Sequence, residues 1–181
     1  MAALMGGVMI APAVSELLSG CQAGPDARYT PVFFTPPEMA CIRAAADRLL
    51  PRTATPGAID AGVPQFIDLM AKEALSKRDQ ETFRTAIVVL EGRAVKGYGK
   101  AFVSCLPEQQ DEILRVMESA AAGERRANLM ARPFFWLFKE LTLLGYFTSE
   151  AVATQVLRYE PVPGRYESCA PLSKYPAAWA S

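Results

Sequence analysis

Between Phe134 and Phe147 only Lys139, Glu140 and Thr142 are polar, and the run opens on the aromatic cluster Phe134-Phe135-Trp136 with Phe138 just behind it. A helix that is apolar on nearly every side has no solvent face of its own, so it must be central to a fold or lie against another protein. Everything else in the chain has to be arranged around that demand. Gly145 is placed to end the helix, and Thr148 or Ser149 to cap a short one that follows it to about Leu157.

The rest of the chain reads as helices separated by proline and glycine. Thr35-Pro36-Pro37-Glu38 is a capping box, in which Thr35 and Glu38 exchange hydrogen bonds across the first turn. Behind it Met39, Ile42, Ala46, Leu49 and Leu50 share one face until Pro51 stops the helix. Pro51 to Pro64, with Thr55-Pro56-Gly57 inside it, is turn chemistry, and a second helix runs from about Val63 to Leu75. Ser76-Lys77-Arg78-Asp79 opens a long third helix, marked by Phe83, Ile87, Leu90, Ala94 and Tyr98 at helical spacing. Pro107 suits the first turn of a fourth, whose Glu108, Asp111 and Glu112 complement the dipole and whose end falls in Ala120 to Gly123. The expected fold is all-α, a compact bundle of five to six helices over residues 35–158. The prolines and aromatics of 159–181, with Pro161, Pro163, Pro171 and Pro176 among Tyr159, Tyr166, Tyr175 and Trp179, make an extended tail. No repeat and no sheet is expected.

The chemistry open to such a chain is narrow. There is no histidine in 181 residues, which removes Ser-His-Asp triads, Cys-His dyads, and histidine-bound zinc or haem. Nineteen basic residues balance nineteen acidic ones, so no global field holds nucleic acid. Asp47-Arg48, Asp60 and Asp68 flank the proline-rich loop but read as caps and ion pairs rather than as an acid–base pair. Gly92, Gly97 and Gly99 lack the spacing of a phosphate loop and read as sites of close helix packing. Arg125-Arg126 and Arg132 form a small basic cluster of the kind found at a solvated helix start. No catalytic residue, metal ligand or cofactor-binding residue is assigned.

The N-terminus suggests export. Met1 to Val14 is uncharged, too short for a transmembrane helix and of the right length for a secretory signal, and it leads into Leu18-Ser19-Gly20-Cys21, which looks like a lipobox. On this reading residues 1–20 are a lipoprotein-type signal, Cys21 takes the lipid, and 21–34 is a tether that leaves the protein exported, periplasmic and membrane-anchored. No Lys or Arg precedes Arg28, so the basic start of the signal is expected upstream of Met1. Of the remaining cysteines, Cys41 falls within a helical pattern as a small buried hydrophobe. Cys105 and Cys169 could pair with each other, or Cys169 could reach a partner chain. Cys169 has no histidine to serve it as a base.

Several blocks together resemble a known family. Asp47-Arg48-Leu49-Leu50-Pro51, Thr55-Pro56-Gly57-Ala58 and Ala61-Gly62-Val63-Pro64-x-Phe66-Ile67-Asp68 are similar to gluconate 2-dehydrogenase subunit 3. So are Leu141 to Glu150, Tyr159-Glu160-Pro161-Val162-Pro163-Gly164-Arg165-Tyr166 and Cys169-Ala170-Pro171-Leu172. The resemblance implies a helical, non-catalytic small subunit that accompanies a large FAD-containing dehydrogenase of the glucose-methanol-choline type. It also implies a c-type cytochrome subunit as a frequent electron acceptor, and a share in exporting and maturing the flavoprotein. The resemblance also implies an export signal, often of the twin-arginine type, whereas this chain has the lipobox-like Cys21. The partner surface expected here is made by the Phe134–Phe147 helix and the tail: Phe134, Phe135, Trp136, Phe147, Tyr159, Pro161, Pro163, Tyr166 and Trp179. A free-standing periplasmic lipoprotein binding module is the competing reading, with an autonomous enzyme third.

Overall fold

In the computed structural model residues 29–159 are described, with 164, 169, 173 and 177–180. The leader 1–20, Cys21 and the start of the tether lie outside the described residues, as do Pro161, Pro163 and Tyr166. The chain divides into two units, 1–30 and 31–181, and the second holds the fold. Among its described residues are six α-helices, α1 (Pro36–Leu49), α2 (Val63–Glu73), α3 (Lys77–Tyr98), α4 (Pro107–Ala127), α5 (Phe134–Phe147) and α6 (Glu150–Gln155), with a 3₁₀ turn at Phe102–Ser104 and no strand. The all-α expectation holds.

Helix starts follow the sequence closely. At α1 the Glu38 carboxylate accepts from both the N–H and the hydroxyl of Thr35, each at 2.8 Å. Ser76 Oγ accepts from the Asp79 N–H to open α3, and Ser149 Oγ from the Val152 N–H to open α6. Gly62 and Gly99 both have positive φ, 69° and 67°, the first turning the chain into α2 and the second ending α3.

Helix ends differ in two places. α4 runs on through Ala120–Gly123 to Ala127, because alanine favours the helix and Gly123 is exposed with nothing within 4 Å of its Cβ position. Arg125 and Arg126 therefore sit in a last turn, where they face the negative end of the dipole, rather than in a first one. Gly145 lies inside α5 and not at its end. A Cβ there would come within 2.6 Å of the Phe66 ring, so its function is to let α2 approach. By contrast, Gly92, Gly97 and Gly99 meet nothing within 4 Å, which overturns the expectation that they seat a neighbouring helix within the bundle.

The core is aromatic at its centre. Phe83 of α3 packs between Phe34 and Phe134, at ring-centroid distances of 5.9 and 5.1 Å, and Phe134 stacks on Phe138 at 5.5 Å. Phe83, Phe102 and Phe138 are fully buried with Ile42, Ile67, Leu90 and Leu137. Each such side chain contributes roughly 1.5–3 kcal/mol by leaving water. α5 packs chiefly on α2 and α4, as its composition requires.

Asp68 builds the segment before α1 into this body. The side chain is completely buried, and its two oxygens accept from the N–H groups of Val32, Phe33 and Phe34 at 2.7, 3.1 and 2.8 Å. Arg84 closes over the same place, its guanidinium 4.5 Å from the Phe33 ring centre and donating to the Phe33 carbonyl. Residues 32–34, assigned to the tether by sequence, are thus part of the domain, with Phe34 in its core.

Candidate functional site

α5 has two unlike faces. Phe134, Phe135, Leu137, Phe138, Leu141, Thr142, Gly145 and Tyr146 are buried. Trp136, Leu143, Leu144 and Phe147 are 49%, 37%, 47% and 49% exposed, with the exposed Glu140 among them. The exposed set falls at positions 136, 140, 143, 144 and 147, a single stripe three turns long, about 16 Å along the axis. Large apolar side chains on the outside of a core helix are the sort of surface that another macromolecule covers.

The structure therefore divides the expected interface residues. Phe134 and Phe135 cannot serve as anchors for a partner, because they fill the chain's own core at 7% and 5% exposure. Trp136 and Phe147 remain on the outside, and Leu143 and Leu144 join them. The signal for those two was the interval of seven and eight residues from Trp136, which an all-apolar run conceals. Arg125, at the end of α4, lies over the Trp136 ring at 4.2 Å and donates to the Ala131 carbonyl, so the indole is held in place at the surface.

The tail begins at Tyr159, 60% exposed, and one far point of it returns to the domain. Arg158 forms an isolated parallel bridge with Trp179, its N–H donating to the Ala178 carbonyl at 2.7 Å while its own carbonyl accepts from Ala180 at 2.9 Å. The Arg158 guanidinium lies 4.4 Å from the Trp179 ring centre, and the indole stays 47% exposed.

No disulfide joins Cys105 to Cys169. Cys105 is buried and its Sγ donates to the Ala101 carbonyl at 3.5 Å, while Cys169 is an exposed free thiol. Cys41 is buried as expected but is no plain hydrophobe. Its Sγ donates to Glu91 Oε1 at 2.7 Å, and the other oxygen of Glu91 accepts from the Phe102 N–H at 3.0 Å. Burial first, and then the bond to Glu91, push the thiol up to about 12, so it stays protonated and unreactive. Among the described residues no three His, Cys, Asp or Glu side chains are grouped to hold a metal, and no helix is long and apolar enough to cross a membrane.

Of the carboxylates flanking the proline-rich loop, Asp60 and Asp68 are held by donors of the chain itself. Arg48 makes a two-pronged ion pair with Asp111, at 2.8 and 2.9 Å, tying α1 to α4. The hydrogen bond to Arg48 holds the Asp111 carboxyl below the usual range, and the same bond raises Arg48. Asp60 accepts from Arg52 and from the Gly57 N–H, closing the turn at Thr55-Pro56-Gly57.

Residues 36–164 match a family model described as gluconate 2-dehydrogenase subunit 3. The chain belongs to the gluconate 2-dehydrogenase subunit 3 family. No curated protein and no solved structure matches it. The family name describes one subunit of a dehydrogenase of several subunits.

The family blocks that fall among the described residues up to Glu150 interlock in space. Tyr146 donates to the Pro56 carbonyl at 2.8 Å, which fixes the proline-rich turn to α5. Gly57 cannot carry a side chain, since a Cβ would lie 2.6 Å from the Arg52 nitrogen. Ala58, Val63 and Ile67 are fully buried, Phe66 fills the notch at Gly145, and Asp68 secures residues 32–34. In this subunit 3 protein those motifs hold helices together, and the surface stripe of α5 stands on the scaffold they make.

Proposed function

We propose that this protein is a non-catalytic accessory subunit of a membrane-associated, FAD-dependent dehydrogenase of the glucose-methanol-choline type. The flavin and any c-type haem reside in partner subunits, and this chain supplies a docking surface. The observation that carries the reading is the exposed stripe Trp136, Leu143, Leu144 and Phe147 on a helix whose other face is core, in a chain of a dehydrogenase-subunit family. Aromatic side chains lose little entropy on docking and anchor interfaces well, and Trp136 is already held by Arg125. Tyr159 and Trp179 extend the same surface chemistry into the tail.

In this reading the flavoprotein docks on the stripe, is stabilised by it during export and maturation, and is kept at the membrane through a lipid on Cys21. Each buried CH₂ of an acyl chain contributes roughly 0.8 kcal/mol, and stable attachment takes more than one chain, as a lipoprotein cysteine provides. Cys21→Ser should therefore move the protein out of the membrane fraction, and retention there counts against the anchor.

Co-expression with the flavoprotein subunit of such a dehydrogenase from the same source tests the docking. Trp136→Asp with Phe147→Asp should leave this chain folded but lower the yield and FAD content of the partner. Unchanged yield, flavin content and location, in that variant and in a deletion, would overturn the accessory role. If the purified chain instead emerges from solubilised membrane alone, it is a free-standing lipoprotein module.

A further inference from the structure

We propose that α3 carries a separate docking face whose occupant is a second copy of this chain, packed antiparallel. α3 buries Phe83, Ala86, Ile87, Leu90 and Ala94 within the bundle. On its outer side Val88 is 70% and Val95 58% exposed. Glu81, Thr85, Val88, Gly92 and Val95 follow one another at intervals of four, three, four and three residues, all exposed, before the cap at Gly99. That is the spacing of a coiled-coil seam. A helix with two seams can satisfy only one of them within its own bundle.

The outer seam complements itself in size and in charge. Gly92 meets nothing within 4 Å at its Cβ position, so the helix surface is open there. In an antiparallel pair Val88 lies against Gly92 of the other copy, and the two-fold axis repeats the contact. The same register sets Thr85 against Val95, and Glu81 against the end of the other α3, with Lys96 in its last turn and Lys100 just past the cap Gly99. Glu81, Lys96 and Lys100 are in no ion pair among the described residues. Arg84, which falls opposite Lys96, is drawn aside onto the Phe33 ring and Glu38. A parallel pair would stack valine on valine, leave a gap between glycines and set Glu81 against Glu81. The fit is therefore to this chain reversed, and not to an arbitrary apolar helix.

Sedimentation equilibrium of the full chain, from micromolar to hundreds of micromolar, tests the proposal. The expected species has twice the 19.7 kDa chain mass. Val88→Glu and, separately, Gly92→Glu should each raise the dimer dissociation constant by about tenfold or more with helical circular dichroism unchanged. Glu81→Lys should weaken the dimer, and adding Lys96→Glu with Lys100→Glu should restore it, which a general change in surface charge would not do. A wild-type monomer throughout the range, a dimer unaffected by both seam variants, or a charge exchange that fails to restore association would each overturn it.

Discussion

At Gly145 a single hydrogen sets how closely two helices cross, since the place a methyl would take is 2.6 Å from the Phe66 ring. Gly145→Ala should cost about 1–3 kcal/mol in urea unfolding, as overpacking does, and Phe66→Leu in the same chain should return part of it. Cys41 is the opposite case, a residue whose polar atom matters more than its bulk. With the thiol raised to about 12 by burial and Glu91, iodoacetamide at neutral pH should label Cys169 and spare Cys41 in the folded chain. Because the folded state holds that proton more tightly, the stabilisation is complete below the ordinary thiol value and is lost as pH rises from there towards about 12. Cys41→Ser should keep the bond to Glu91, while Cys41→Ala, leaving that carboxylate short of a donor, should cost about 1–3 kcal/mol. Thr142 is fully buried and its hydroxyl has no hydrogen-bond partner among the described residues. Thr142→Val removes an unpaired polar atom at nearly constant shape, and its unfolding midpoint should be unchanged or higher.

At the scale of elements, the contact between α1 and α4 depends on Arg48 and Asp111, whose side chains are 25% and 27% exposed. The folded carboxyl sits below its ordinary value, so the pair stabilises fully above about pH 4 and the contribution disappears as pH falls through the folded value. Denaturation followed from pH 6 downward should show a loss of stability that Asp111→Asn largely abolishes, being weaker at pH 6 and flatter below it. Helix beginnings were legible because their caps are local: Thr35, Ser76 and Ser149 act within a turn of themselves. Helix ends were harder. Neither the continuation of α4 past Gly123 nor that of α5 past Gly145 is written locally. The first rests on a glycine facing open solvent, the second on the Phe66 ring, 79 positions away in the chain. The apolar run of α5 announced a central helix but not which side would stay outside, since that is decided by where α2 and α4 lie. Phe134 and Trp136 look alike in sequence and end on opposite sides.

For the molecule as a whole, the all-α architecture and the family blocks could be read in advance, whereas the use of those blocks could not. Asp68 was visible as a carboxylate beside a loop, and only the fold brings it to three backbone N–H groups more than thirty residues earlier. Asp68→Ala should expose the amides of Val32, Phe33 and Phe34 to hydrogen exchange and lower global stability by about 1–3 kcal/mol, with Asp68→Asn intermediate. If those amides exchange no faster in the variant, the carboxylate is not what holds them. The same arrangement bears on how the protein meets mechanical load. A pull applied ahead of Pro31 reaches the three bonds to one buried carboxylate, and the Arg84 cover over Phe33, before it reaches the first helix. Those bonds bear such a load first, and α1 is spared from unwinding.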